Sequence, residues 1–212
     1  MRNKWYEPPR VKQTIVTLDM EGVLTPEIWI AVAAETGIDA LRRTTRDEPD
    51  YDVLMRGRLD LLERHGLGLS DIQRVIGTLD PLPGARDFLD ELRALTQVIV
   101  LSDTFEQFAA PLMRKLAWPA LFCHRLVVEG DRVTDYCLRM PDQKRAAVRA
   151  LRGLNFRVIS AGDSYNDTTM LGAADTGFLI HAPDNVKAEF PQFKAVETLP
   201  QLMEEIKGAL AG

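Results

Sequence analysis

Three short apolar runs in this chain each stop at a hydroxyl or an acid. Ile15-Val16-Thr17-Leu18 ends at Asp19, Val98-Ile99-Val100-Leu101 at Ser102, and Val158-Ile159-Ser160-Ala161-Gly162 at Asp163. Each run has the length and content of a buried strand, and turn residues follow the first and third. A different rhythm fills residues 25–82, where apolar positions recur at helical spacing. Ile28, Ala31, Val32 and Ala34 form one stripe, ended by Gly37; Val53, Leu54, Leu59, Leu61 and Leu62 form a second, ended near Gly66. Ser70-Asp71 is read as the cap of a third helix carrying Ile72, Val75 and Ile76.

After Pro81-Leu82-Pro83-Gly84 the pattern alternates. It predicts helix 85–95, strand 97–101, helix 105–116 and a hairpin over 121–139 that turns at Glu129-Gly130-Asp131. Helix 143–152, strand 156–160, helix 166–173 and strand 176–180 follow. A short strand near Ala195-Val196 leads to a helix after Thr198. Alternation of this kind argues for a parallel sheet covered by helices on both faces. The fold expected is therefore α/β: a doubly wound, Rossmann-like parallel sheet with a small helical cap inserted after the first strand. The core takes residues 14–24 and 83–212, and the cap takes 25–82.

Composition narrows the function classes. The 212 residues are 46% hydrophobic and 27% charged, ordinary for a globular protein with one sizeable core. A net charge of −5 argues against a general nucleic-acid or anionic-membrane surface. No apolar stretch reaches the roughly 18 residues of a spanning helix. Residues 1–13 are basic, contain Pro8-Pro9 and lack the apolar centre of a signal peptide, so they read as a flexible arm, with a cytoplasmic location as the default. Cys123 and Cys137 flank the hairpin. A three-residue turn would set them opposite each other and a two-residue turn would not; two free thiols are the reading adopted.

A carboxylate at the carboxyl end of a buried strand points into the usual ligand crevice of an α/β sheet. Glu21, two residues after Asp19, can act as acid and base beside it. Taken with Leu101-Ser102-Asp103-Thr104, Lys144 and Gly162-Asp163-Ser164-Tyr165-Asn166-Asp167, the pattern resembles the haloacid dehalogenase-type phosphotransferases. Within them it is most similar to phosphoserine phosphatases, and there to the bifunctional phosphoserine phosphatase/homoserine phosphotransferase proteins. Those share Asp-x-Glu-Gly-Val, Pro-Glu-Ile-Trp, Leu-Ser-Asp-Thr and Gly-Asp-Ser-Tyr-Asn-Asp. The similarity runs from about Thr14 to the end of the chain.

The resemblance implies roles residue by residue. Asp19 would be the nucleophile that carries the phosphoryl group, and Glu21 the acid and base, where most of the superfamily has Asp. Mg2+ would be held by the Asp19 carboxylate, the Glu21 carbonyl and Asp163, with Asp167 behind it or on a bound water. Ser102 and Lys144 would bind phosphoryl oxygens, with Arg145 as the competing assignment for the lysine. Asp103 replaces a customary glycine, so its carboxylate must point away or meet the substrate's ammonium. Asn166 would contact phosphate or substrate. In the cap, Glu27 and Arg58 would take the ammonium and carboxylate of an amino acid, and Tyr51 either closes over it or packs. His65, His124 and His181 lack ligand spacing and are given no chemistry. The implied substrates are O-phosphoserine, with water or homoserine as acceptor, and a homodimer is compatible with the sequence. A phosphatase for another small phosphate ester, or a catalytically silent phosphometabolite-binding protein, are the alternatives.

Overall fold

The computed structural model describes residues 12–44, 47–48 and 50–211. The arm predicted for residues 1–13 lies outside these except for Lys12 and Gln13, and the Gln13 carbonyl accepts from the Arg157 N–H at 2.9 Å. Among the described residues seven strands form one sheet: β1 (Thr14–Leu18), β2 (Gln97–Phe105), β3 (Ala120–Glu129), β4 (Arg132–Cys137), β5 (Arg157–Gly162), β6 (Thr176–Ile180) and β7 (Lys194–Val196). Their order is β4-β3-β2-β1-β5-β6-β7, parallel throughout except for β4 at the edge. The chain works outward from β1 to one side, then returns to β5 on the other. This reversal opens a crevice at the carboxyl end of β1.

Alternation along the central strands explains the two helix layers. Val98 and Val100 of β2 face the larger apolar cluster, while Leu101 faces the smaller one with Val158 of β5. The larger cluster takes in α4 (Ala85–Leu95), α5 (Glu106–Lys115) and α9 (Leu199–Ala211); the smaller takes in α6 (Gln143–Gly153) and α7 (Thr168–Ala173). Pro111 lies inside α5 and cannot donate to the carbonyl of Gln107. That carbonyl instead accepts from Gln73 Nε2 at 2.8 Å, which ties α5 to α3 (Leu69–Thr78).

Between β1 and α4 the described residues hold only helices: α1 (Ile28–Thr36), a 3₁₀ turn at Asp39–Arg42, α2 (Tyr51–Arg64) and α3. They share the sheet's apolar cluster, since Trp29, Met55, Ile72 and Ile76 belong with Leu18 and Phe108. Asp50 caps α2 by accepting from the N–H groups of Asp52 and Val53 at 2.9 and 3.2 Å. The β3–β4 hairpin reaches over these helices. Tyr136 donates to Asp52 at 2.5 Å, and Arg56 and Arg132 meet Asp135 and Glu63 at 2.8 and 3.0 Å.

Several expectations need correction. Strand β2 runs on to Phe105 rather than ending at 101, because Phe105 pairs with His124 of β3 past a register shift. Helix α3 starts at Leu69, so Ser70 and Asp71 lie in its first turn. Asp71 accepts from the Gly68 N–H at 3.1 Å, and Ser70 bonds to Asp131. The segment 166–173 begins as a 3₁₀ turn at Tyr165–Asp167 before α7. The turn of the hairpin has two residues, with Glu129 opposite Arg132, and Cys137 faces Arg125; both thiols are free. Helix α8 (Asp184–Glu189) and the 3₁₀ turn at 39–42 were not foreseen. No helix among the described residues is long and apolar enough to cross a membrane.

Candidate active site

The loop after β1 is tied down on both sides. The Asp19 N–H donates to the Ala161 carbonyl at 3.0 Å, and the N–H groups of Leu24 and Thr25 close back on the Met20 carbonyl. Gly22 sits at φ 78°, and a Cβ there would lie 2.3 Å from Asp163 Oδ2. Only glycine satisfies both the backbone angle and the approach of that carboxylate. His181 Nδ1 donates to the Gly22 carbonyl at 2.9 Å, so one imidazole holds this loop from the end of β6.

Lys144, at the start of α6, is the cluster's cation. Its Nζ lies 2.8 Å from Asp19 and from Asp167, and 3.8 Å from Asp103, with the side chain 3% exposed. Arg145, the competing candidate, points elsewhere and pairs with Asp142. Asp167 is buried, accepting from the N–H groups of Asp163 and Ser164 at 3.0 and 3.2 Å. A Cβ on Gly162 would strike it, which explains why β5 ends in glycine.

Burial sets the protonation states here. It pushes the Asp19 carboxyl well above its usual range, reinforced by Asp167 and opposed by Lys144. Burial, then Asp167 and Glu27, push Asp163 up to about 7. Glu21 is pushed up to about 8 by burial and then by Glu27, although its Oε2 accepts from the Ile28 N–H at 2.9 Å. Burial also works against the Lys144 charge, but Asp167, Asp19 and Asp103 outweigh it and raise its pKa.

All the predicted site residues except Asp167 line one cleft of ≈ 590 Å³ at the carboxyl end of the sheet. Ser102 is buried, and its hydroxyl oxygen accepts from the Thr104 N–H at 3.2 Å. Tyr51 donates to the Asp103 carbonyl at 3.3 Å. Across the cleft, the Arg58 guanidinium lies 4.6 Å from the Trp29 ring centroid and donates to the Arg43 carbonyl at 2.7 Å. Its Nε is buried without a protein partner, and burial lowers its pKa to about 10. Glu27 is exposed at the rim, and Asn166 donates to Asp103 Oδ2 at 3.1 Å.

Two neighbours of the Asp103 carboxylate were not foreseen. Gln143 is 1% exposed and bonds the Ser102 carbonyl and Asp103 Oδ1. His124 Nε2 lies 3.5 Å from Asp103 Oδ1. Gln143 stands beside Lys144 in sequence, which was a usable signal; nothing near His124 in the sequence pointed to the site.

Carboxylate oxygens of Asp19, Asp163 and Asp167 lie within 4.8 Å of one another, with one ammonium among them. An all-oxygen donor set with surplus negative charge fits a hard divalent cation. The Asp163 pKa gives a test. An acid raised from about 4 in the unfolded chain holds its proton more tightly when folded, so its contribution is lost as pH rises through about 7. Metal-free protein should melt lower at pH 8 than at pH 5.5, and Mg2+ should raise the melting temperature more at pH 8. Equal Mg2+ shifts at the two pH values, read by circular dichroism, would contradict this.

The switch-point crevice, the acid-ended strands and the buried lysine define a phosphoryl-transfer type of α/β enzyme site. The chain belongs to the haloacid dehalogenase-like hydrolases, whose family model matches residues 14–175. It is 62% identical over 192 residues to a phosphoserine phosphatase of Pseudomonas syringae pv. tomato, covering 90% of this chain and 81% of that protein. It is 60% identical over 192 residues to phosphoserine phosphatase ThrH of Pseudomonas aeruginosa, covering 90% and 94%. Among solved structures, a phospho-aspartyl intermediate analogue of phosphoserine phosphatase shares the fold, with a TM-score of 0.76 at 18% identity over 92% of this chain and 99% of that one.

Proposed function

We propose that the chain is a Mg2+-dependent phosphotransferase and phosphatase. It takes the phosphoryl group from O-phosphoserine through Asp19 and passes it to water or homoserine. The observation that carries this reading is the contact of buried Lys144 with Asp19 and Asp167 beneath a cleft whose opposite wall presents Arg58. The names and identities of the Pseudomonas relatives support the substrate.

In the first step an Asp19 carboxylate oxygen attacks phosphorus, and the serine oxygen leaves with a proton from Glu21. A carboxyl pushed up to about 8 still carries that proton at neutral pH. In the second step Glu21 takes the proton of the acceptor hydroxyl, whose oxygen attacks the aspartyl phosphate and releases Asp19. Lys144 and Ser102 hold the charge on the phosphoryl oxygens. Mg2+, held by Asp19, the Glu21 carbonyl and Asp163 with Asp167 supporting, would neutralise charge that Lys144 alone cannot balance.

The test is incubation with Mg2+ and O-phosphoserine, with and without homoserine, with free phosphate and O-phosphohomoserine both quantified. Phosphohomoserine formed at the expense of phosphate supports transfer, and phosphate alone supports hydrolysis. Neither product rejects the substrate. Arg58 is the specificity test, because a guanidinium clamps a carboxylate through two charge-assisted bonds. Arg58→Ala should raise KM for O-phosphoserine by about 10- to 100-fold, while kcat/KM for p-nitrophenyl phosphate stays within about threefold. Equal losses on both esters would remove the clamp.

A further inference from the structure

We infer that His124 is a positioning residue for the phosphoryl-binding end of the cleft, acting through Asp103. The inference rests on the proposal that phosphoryl transfer occurs at Asp19.

The Asp103 carboxylate is surrounded by protein donors. Oδ1 faces Gln143 Nε2 at 3.2 Å and His124 Nε2 at 3.5 Å; Oδ2 faces Asn166 Nδ2 at 3.1 Å and Lys144 Nζ at 3.8 Å. Gln143 and Asn166 donate to this carboxylate, while His124 stands at the limit of hydrogen-bond reach and Lys144 acts on it as a nearby charge. Asp103 is thus placed to hold Asn166 and Lys144 in position.

His124 is built to serve that carboxylate. Its Nδ1 accepts from the Arg139 N–H at 3.1 Å, so the ring proton sits on Nε2, beside Asp103. The ring is 5% exposed and packs against Phe105 and Tyr51, with centroids 6.3 and 6.5 Å away. The Arg139 guanidinium bonds Gln143 Oε1 at 3.1 and 2.9 Å, turning the amide N–H₂ of Gln143 toward Asp103 and the Ser102 carbonyl. Arg139 therefore orients both donors to Oδ1. Without the His124 donor, Asp103 leans on Lys144 and competes with the phosphoryl group for its charge.

Two substitutions separate this role from a structural one. In His124→Asn the amide oxygen can replace Nδ1 and keep the Arg139 bond, but nothing reaches Asp103. In His124→Gln the amide N–H₂ can replace Nε2 and reach Asp103, but the Arg139 bond is lost. With O-phosphoserine and p-nitrophenyl phosphate as separate substrates, H124N should lower kcat about tenfold on both, with KM moving less than about twofold. H124Q should stay within about threefold of the parent. In an Asp103→Ala background H124N should cost less than a further twofold or so, as the cycle requires of residues acting as one unit.

The opposite order, with H124Q poor and H124N near the parent, would make His124 a structural residue and overturn the inference. So would an undiminished H124N effect without Asp103, or no effect at all. If the parent acts on p-nitrophenyl phosphate and not on O-phosphoserine, the substrate reading fails while the cycle is still read on the former. A parent inert toward both overturns the two together.

Discussion

Asp19→Asn should abolish turnover, with a loss of about 10⁴-fold or more, because the amide cannot form the aspartyl phosphate proposed at this position. The variant should fold. The introduced amide oxygen can still accept from the Met20 N–H, which now bonds Asp19 Oδ1 at 2.7 Å, and Lys144 keeps Asp167 at 2.8 Å. In metal-free protein at pH 8 the variant should even melt higher than the parent. The Asp19 charge is disfavoured there by burial and by Asp167, and the amide removes that penalty. A gain of about 1 kcal/mol would read as roughly 2–4 °C for a chain of this size. Retained activity would reject the nucleophile, and a large fall in melting temperature would reject this account of the cluster.

Lys144→Met should cost both activity and stability. One preorganised charge on the transferring group is worth about 10²–10³ in rate, and here the ammonium also orders the nucleophile. Removing it leaves Asp19 and Asp167 facing each other in a buried site, and breaking such a pair typically costs about 3–5 kcal/mol. The sign with pH is fixed. Without Lys144 the Asp19 carboxyl loses the one charge that opposes its raised pKa and holds its proton more tightly, so the deficit is smallest at low pH and grows as pH rises. Melting curves at pH 5.5 and pH 8 would show it as a widening gap from the parent, and a constant gap would contradict it. Lys144→Arg should not restore rate, since a planar fork cannot occupy the point between two carboxylates that a compact ammonium fills.

The sequence made the centre of the site legible because strand ends are legible. Asp19, Ser102 and Asp163 each follow an apolar run, and β1, β2 and β5 are neighbours in the sheet. Residues that reach the site by register rather than by local pattern stayed hidden. His124 meets Asp103 only because β2 continues through polar residues to Phe105 and pairs it with His124. An apolar-run reading stops at Leu101 and cannot see that. Gly22 against Asp163 is another contact without a local trace, its partner lying on another strand end. Helix α8 escaped because six residues with one buried side chain, Val186, make no stripe. Asp103 was legible as a departure from the family pattern, but its four partners come from three other segments of the chain.

The most direct test of the account follows the phosphoryl group itself. Protein mixed with Mg2+ and 32P-labelled O-phosphoserine, quenched rapidly in acid and digested, should carry label as an acyl phosphate on the peptide containing Asp19. A chase with unlabelled O-phosphoserine and homoserine before the quench should move that label to phosphate and O-phosphohomoserine. Turnover with no label on the protein, or label on a peptide without Asp19, would contradict the central claim.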